Sequence, residues 1–217
     1  MTDKNHAPHA EHKDHEVEQH EVKQVLNFLT HYGKMIGVGV LAAAVVILIS
    51  RGLSQRQANK MAQAEEMLAT AQSPQQLERI IDEYGSTSAA PVALLDLAKT
   101  HFNDGDYFEA RARYEQFLKD YKHHDLRPLA DFGLASCTAA DGDFNGAAEL
   151  FAAFVEAHDG HFLQPLATLT LARSLKQANR PDEARILLED FLAEKAESQW
   201  AGQATTLLEE VGEKQEL

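Results

Sequence analysis

Four histidines, His6, His9, His12 and His15, recur at three-residue spacing near the start of the chain, and His20 follows them. Imidazoles at i, i+3 share a helix face and could hold a transition metal. The acids interleaved with them equally suit a solvated tail, in which nothing fixes a ligand geometry. Two more groups, His123-His124 and His158-x-x-His161, stand beside acids between apolar segments, where solvated linker residues are the default. Cys137 is the one cysteine, which excludes an internal disulfide and any multi-cysteine zinc site. There is no G-x-S-x-G, no phosphate-cradling glycine loop and no H-E-x-x-H. The expectation is a protein that is not an enzyme, with no catalytic residue, no metal and no cofactor.

Charge narrows the partners. The chain of 217 residues carries 34 Asp+Glu against 20 Lys+Arg, for a net charge of −14. Residues 51–217 alone hold 28 acids and 16 bases, or −12. A surface of that sign repels phosphate backbones, so nucleic acid is not an expected partner.

What would position any functional side chain is a repeat. At an offset of 37 residues, Pro91, Pro128 and Pro165 align, as do Ala93, Ala130 and Ala167. Leu97, Leu134 and Leu171 form a third column, and Ala98, Ala135 and Ala172 a fourth. Gly105 and Gly142 then meet Asn179, followed by Ala110, Ala147 and Ala184, and by Phe117, Phe154 and Phe191. Proline suits the opening of a helix, and alanine allows close approach of a paired helix. Gly or Asn suits the left-handed turn that ends it. Asp106 should cap the second helix, with Glu109 completing a capping box. Cys137 shares a column with Thr100 and Ser174, as a small packing residue would. Each pair has two apolar faces and cannot bury both alone, so pairs must stack into a solenoid.

The ends read as half-repeats. Leu77, Ile80, Ile81 and Tyr84 precede Tyr114, Phe117, Leu118 and Tyr121 by 37 residues, so residues 74–84 should be a lone second helix capped by Ser73. Ala204 and Leu208 continue first-helix columns, which makes residues 198–211 a closing helix with Trp200 on the last pair.

Ahead of the repeats, residues 35–50, MIGVGVLAAAVVILIS, carry no charge and lie between Lys34 and Arg51. Snorkelling of those two stems and an interfacial Tyr32 fit a spanning helix. A signal peptide fits poorly. The preceding 34 residues hold 6 acids against 4 lysines, and no small-residue cleavage site follows the run. Val22, Val25, Leu26 and Leu29 mark an amphipathic pre-membrane helix. Met61, Ala64, Leu68 and Ala71 allow a helical stalk after the span. The domains expected are therefore 1–21 (unordered His/acid-rich tail, chiefly residues 1–19), 22–34 (pre-membrane helix), 35–51 (anchor), 52–72 (stalk) and 73–217 (repeats). Lys23 and Lys34 on one side of the span balance Arg51, Arg56 and Lys60 on the other, so charge leaves the orientation open.

Ala98 and Ala110 lie 12 apart with Tyr114 four later, and this arrangement resembles the tetratricopeptide repeat lengthened by three linker residues. The resemblance covers about residues 73–211. The usual early Trp is here Leu94, Asp131 or Thr168, and the usual late Pro is Lys122, Asp159 or Ala196. The run EVKQVLNFLTHYGK at 21–34, continued by MIGVGV, is similar to the pre-membrane segment of the YfgM-like ancillary subunits of the bacterial SecYEG translocon. That resemblance implies a bacterial inner-membrane protein with its N-terminus cytoplasmic and its repeats periplasmic. It further implies partners among translocon subunits, exported clients and a periplasmic chaperone.

The expected fold is thus all-α: one transmembrane helix, then a tetratricopeptide-like solenoid of three helix pairs and terminal half-repeats. In that geometry the concave face would carry Leu95, Phe132 and Leu169, with Lys99, Ser136 and Arg173 one turn on. The expected function is a membrane-anchored adaptor that holds an apolar segment of a partner there. The alternative is a scaffold that organises an envelope complex without touching unfolded clients.

Overall fold

The computed structural model describes residues 11–212, and within it the chain forms helices α1 (Glu11–Thr70), α2 (Pro74–Tyr84), α3 (Ala89–Asn103), α4 (Tyr107–Asp120), α5 (Arg127–Ala140), α6 (Phe144–Ala157), α7 (Gln164–Gln177), α8 (Pro181–Lys195) and α9 (Ala201–Gly212). There is no strand among the described residues. Two compact units divide the chain, Met1–Asn59 and Lys60–Leu217.

In the first unit, α1 is unbroken through the amphipathic segment and the apolar run. It opens at Glu11, so residues 11–19, expected to be unordered, are helical. Residues 1–10 of the expected tail lie outside the described residues. From Thr30 the helix is long and apolar enough to cross a membrane. Its described apolar side chains are exposed: Leu41 is 68% exposed and Leu48 69%. A 16-residue run alone is short for a bilayer. Because the helix continues on both sides, however, residues 32–53 can supply about 33 Å at a rise of ~1.5 Å per residue.

The second unit is the repeat array. α3 packs on α4, α5 on α6, and α7 on α8, while each second helix also packs on the next first helix. The alanine columns explain why the helices come so close. Ala93, Ala130 and Ala167 are fully buried, as are Ala98, Ala135 and Ala172, and Ala110, Ala147 and Ala184. The phenylalanine column, Phe117, Phe154 and Phe191, is also enclosed.

The first helices α3, α5 and α7 end in the same way. Gly105, Gly142 and Asn179 all have positive φ, at 83°, 85° and 60°. Gly105 donates to the Phe102 carbonyl at 3.1 Å and Asp106 to the His101 carbonyl at 2.9 Å. Gly142 with Asp143 and Asn179 with Arg180 repeat this paired bonding, which satisfies the last carbonyls of the helix. Asp106 and Asp143 then cap α4 and α6 by accepting from Glu109 and Gly146. The capping box is only half made. The Asp106 N–H is already committed to His101, and the Glu109 carboxylate lies 3.9 Å from Arg113 instead.

The N-terminal end of the array differs from the half-repeat picture, and the C-terminal end follows it. α2 does run over Pro74–Tyr84 with Ser73 accepting from the Gln76 N–H, but it is not alone. Ala64, fully buried, and the half-buried Met67, Leu68 and Ala71 pack into one cluster with Leu77, Ile80, Ala93 and Leu97. The last three turns of α1 therefore act as the first helix of an additional pair. At the other end α9 packs on α7 and α8, with Ala204, Leu207 and Val211 buried and Trp200 half-buried against the same cluster.

Candidate protein-binding surface

The structure separates the six residues expected on one face. Leu169 has no exposed surface and Leu95 is 8% exposed. Phe132 is half-buried, its ring edge-on to Phe151 and Phe154 at centroid distances of 5.4 and 5.9 Å. The apolar strip is therefore interior packing and not a contact face. Its neighbours give the reason: Leu95 clusters with Ala110 and Phe117 of α4 and Ala130 of α5, so the next repeat covers it. One turn on, Lys99 and Arg173 are exposed, and Ser136 is half-exposed with its hydroxyl donating to the Phe132 carbonyl at 2.8 Å. The following turn adds exposed Asn103, Ala140 and Gln177. What the first helices present is thus a polar, weakly basic stripe. At its N-terminal end Lys99 and Asn103 line a hollow of about 320 Å3 with Leu68, Pro74 and Leu77.

Rigid contacts lie beneath that stripe. A Cβ built on Gly133 would fall 2.3 Å from the Tyr114 ring, so α5 meets α4 at a distance only glycine permits. Burial pushes the Tyr114 phenol up to about 12 and the Cys137 thiol up to about 11. A thiol held that high and fully enclosed is inert at neutral pH, in keeping with a packing role. Ion pairs link successive repeats at the surface, with Arg113 at 3.2 Å from Glu78 and Lys176 at 2.7 Å from Glu210.

Of the linker histidines, His123 is exposed, as the solvated reading expects, but His124, His158 and His161 are structural. His124 and His161 accept through Nδ1 from the N–H groups of Leu126 and Leu163, at 3.1 and 3.2 Å. Their own N–H groups bond the carbonyls of Tyr121 and His158, and Thr87 and Ser198 do the same at the outer linkers. These four residues are themselves a 37-residue column, so the register that found the helices also contained the linkers. His158 packs against Phe154 at 4.6 Å with the rings tilted by 53°, and its Nε2 lies 3.1 Å from the Asp131 carboxylate. Burial, with the neighbouring His158, lowers the His161 pKa. No group of three His, Cys, Asp or Glu fit to hold a metal occurs among the described residues. The tail histidines His6, His9, His12, His15 and His20 lie outside the residues whose side chains are described.

Comparison with known proteins bears on the same architecture. The profile of the tetratricopeptide repeat-like domain matches residues 27–153, more than half of the chain and including the apolar run. The chain belongs to this tetratricopeptide repeat-like family. Two crystal structures of nearly identical TPR-like repeats from Podospora anserina, named for kinesin light chain, superpose with TM-scores of 0.58 and 0.57 at 21% identity. Each alignment covers 74% of this chain and 89% of the other. A tetratricopeptide repeat protein from Parabacteroides merdae superposes with a TM-score of 0.55 at 14% identity, over 74% of this chain and 61% of that one. At these identities the likeness establishes the fold alone. No curated protein matches the chain. The tetratricopeptide fold typically serves as a protein-interaction scaffold, its stacked helices supplying an extended surface.

Proposed function

We propose that this protein is a membrane-anchored adaptor of the bacterial inner membrane, with its repeats in the periplasm, serving the protein translocon. The observation that carries the reading is the union of a protein-interaction fold with one exposed apolar helix in a single chain. The sequence at 21–40 supports the translocon assignment through its likeness to YfgM-like subunits. A family match that begins at residue 27, ahead of the apolar run, is in keeping with it. The exposed stripe of Lys99, Ser136 and Arg173 is the surface offered to exported clients or to a periplasmic chaperone.

Site-specific photo-crosslinking in cells from positions 99, 136 and 173 tests the assignment. Adducts with translocon subunits and exporting chains are the expected result. Adducts confined to one stable envelope complex would replace the adaptor by a scaffold. A reporter active only in the periplasm should work when fused after Leu217, and activity of only a cytoplasmic reporter there would overturn the topology.

A further inference from the structure

The gap between α6 and α8, floored by α7, holds a cavity of about 410 Å3. Leu171 and Leu175 form its floor, and α8 supplies Leu187 and Ile186, the latter 57% exposed. Two small residues on α6, Ala148 and Ala152, keep it open. In repeat register these positions are Arg111 and Glu115 on α4, and Arg185 and Glu189 on α8, so of these three helices only α6 lacks the long charged pair. One repeat earlier, the Arg111 guanidinium reaches across to the carboxylate of Asp141, the C-cap of α5. The corresponding C-cap of α7 is Ala178. Both halves of the bridge are replaced together, and the groove they would cross is left unfilled.

Its mouth is acidic. Glu149, Glu183 and Asp190 face one cation, Arg180, which is already held by both Glu183 oxygens at 2.7 Å. The floor residues lie on the side of α7 opposite Arg173, so this groove is distinct from the first-helix stripe. Apolar walls with a net negative rim, three carboxylates against one guanidinium, select a partner of opposite pattern.

We propose that the α6–α7–α8 groove docks a basic amphipathic segment of a partner protein, one bulky aliphatic side chain entering between Ala148 and Ile186 while flanking Lys or Arg meet Glu149 and Asp190. The inference deepens the adaptor reading and rests on it. Entry of the aliphatic group removes the Ile186 and Leu187 surfaces from water, and the carboxylates orient the segment.

The test uses the full-length protein in phosphatidylcholine nanodiscs. The probe is a fluorescein-labelled helical peptide with leucines along one face and lysines beside them. A glutamate-for-lysine peptide is the control and should bind at least tenfold more weakly. Ala148→Arg combined with Ala178→Asp rebuilds the bridge of the preceding repeat and should weaken the lysine peptide at least tenfold with an unchanged melting temperature. Should that variant misfold, Glu149→Lys with Asp190→Lys, which only alters exposed positions, should reverse the preference between the two peptides. Undiminished binding to the bridged variant, or no response to charge reversal, overturns the proposal. Binding lost instead on Lys99→Ser with Arg173→Ser also overturns it, but leaves the adaptor reading on the first-helix stripe. Self-association of the wild type that the bridge abolishes and the peptide does not contest would make a second copy the occupant and sink the proposal. Only the further absence of any crosslinked partner would remove the adaptor reading too.

Discussion

Leu169 and Arg173 lie four residues apart on α7, yet Leu169 is wholly enclosed and Arg173 stands in solvent. The same contrast separates Leu95 from Lys99 on α3, whereas Phe132 and Ser136 on α5 are both half-buried. On an isolated helix such positions share a face. In a stacked array they do not share a fate, because the following helix pair covers the residues inclined toward it and leaves the next turn open. A groove in a repeat protein is therefore set by the inclination of neighbouring pairs as much as by position on a helix face.

The sharpest way to break this comparison is to make both sets polar. Replacing Leu95, Phe132 and Leu169 by Ser should abolish cooperative unfolding, since Leu169→Ala alone should cost about 2–5 kcal/mol. Lys99→Ser with Arg173→Ser should change stability by no more than about 0.5 kcal/mol. Chemical denaturation of the full-length protein followed by circular dichroism reads both. A folded, cooperative triple variant would restore the apolar strip as a surface. Phe154→Ala should likewise cost about 3–5 kcal/mol, because that ring carries Phe132 on one side and His158 on the other.

Next in size are two glycines of opposite kind. Gly133 has normal backbone but no room, and Gly142 has room but a φ of 85°. Gly133→Ala should cost about 1–3 kcal/mol through overlap with Tyr114, and most of that increment should vanish in a Tyr114→Leu background. Gly142→Ala should cost about 1–2 kcal/mol in any background, because the strain is in its own backbone. Equal sensitivity of both to the Tyr114 change would show that the two costs had been wrongly separated.

How far the sequence disclosed this structure follows from the same distinction. The 37-residue register carried the helix pairs, the left-handed turns at Gly105, Gly142 and Asn179, and the buried alanine and phenylalanine columns. Those are local or periodic facts, and periodicity is visible in one dimension. It failed where a neighbour out of register decided the outcome. The end of α1 has no counterpart at an offset of 37, yet Ala64 and Leu68 complete a pair with α2 by packing alone. The open α6–α8 groove was readable, since Ala148 interrupts a column of Arg111 and Arg185, but only once α4 was known to reach α5 through Arg111. His124 and His161 were misread because a polar side chain that bonds backbone two residues away looks, in sequence, like a solvated one.

The smallest effect belongs to those linkers and compares His161 with Ser198, its counterpart one repeat on. Burial against Phe154 and the adjacent His158 hold the His161 pKa below the ordinary histidine value. The folded chain therefore resists a proton that the unfolded chain accepts near about 6.5. With the folded pKa depressed, the contribution is complete above the unfolded value and is lost as pH falls from there through the lower folded value. The Ser198 linker has no such titration. Thermal melts of wild type between pH 7.5 and 5 should show a decline that His161→Asn reduces, because Asn can still accept from the Leu163 N–H but does not ionise. Replacing Ser198 by Asn should leave the pH slope as it is. A slope unchanged by His161→Asn would remove His161 as the source of the acid sensitivity.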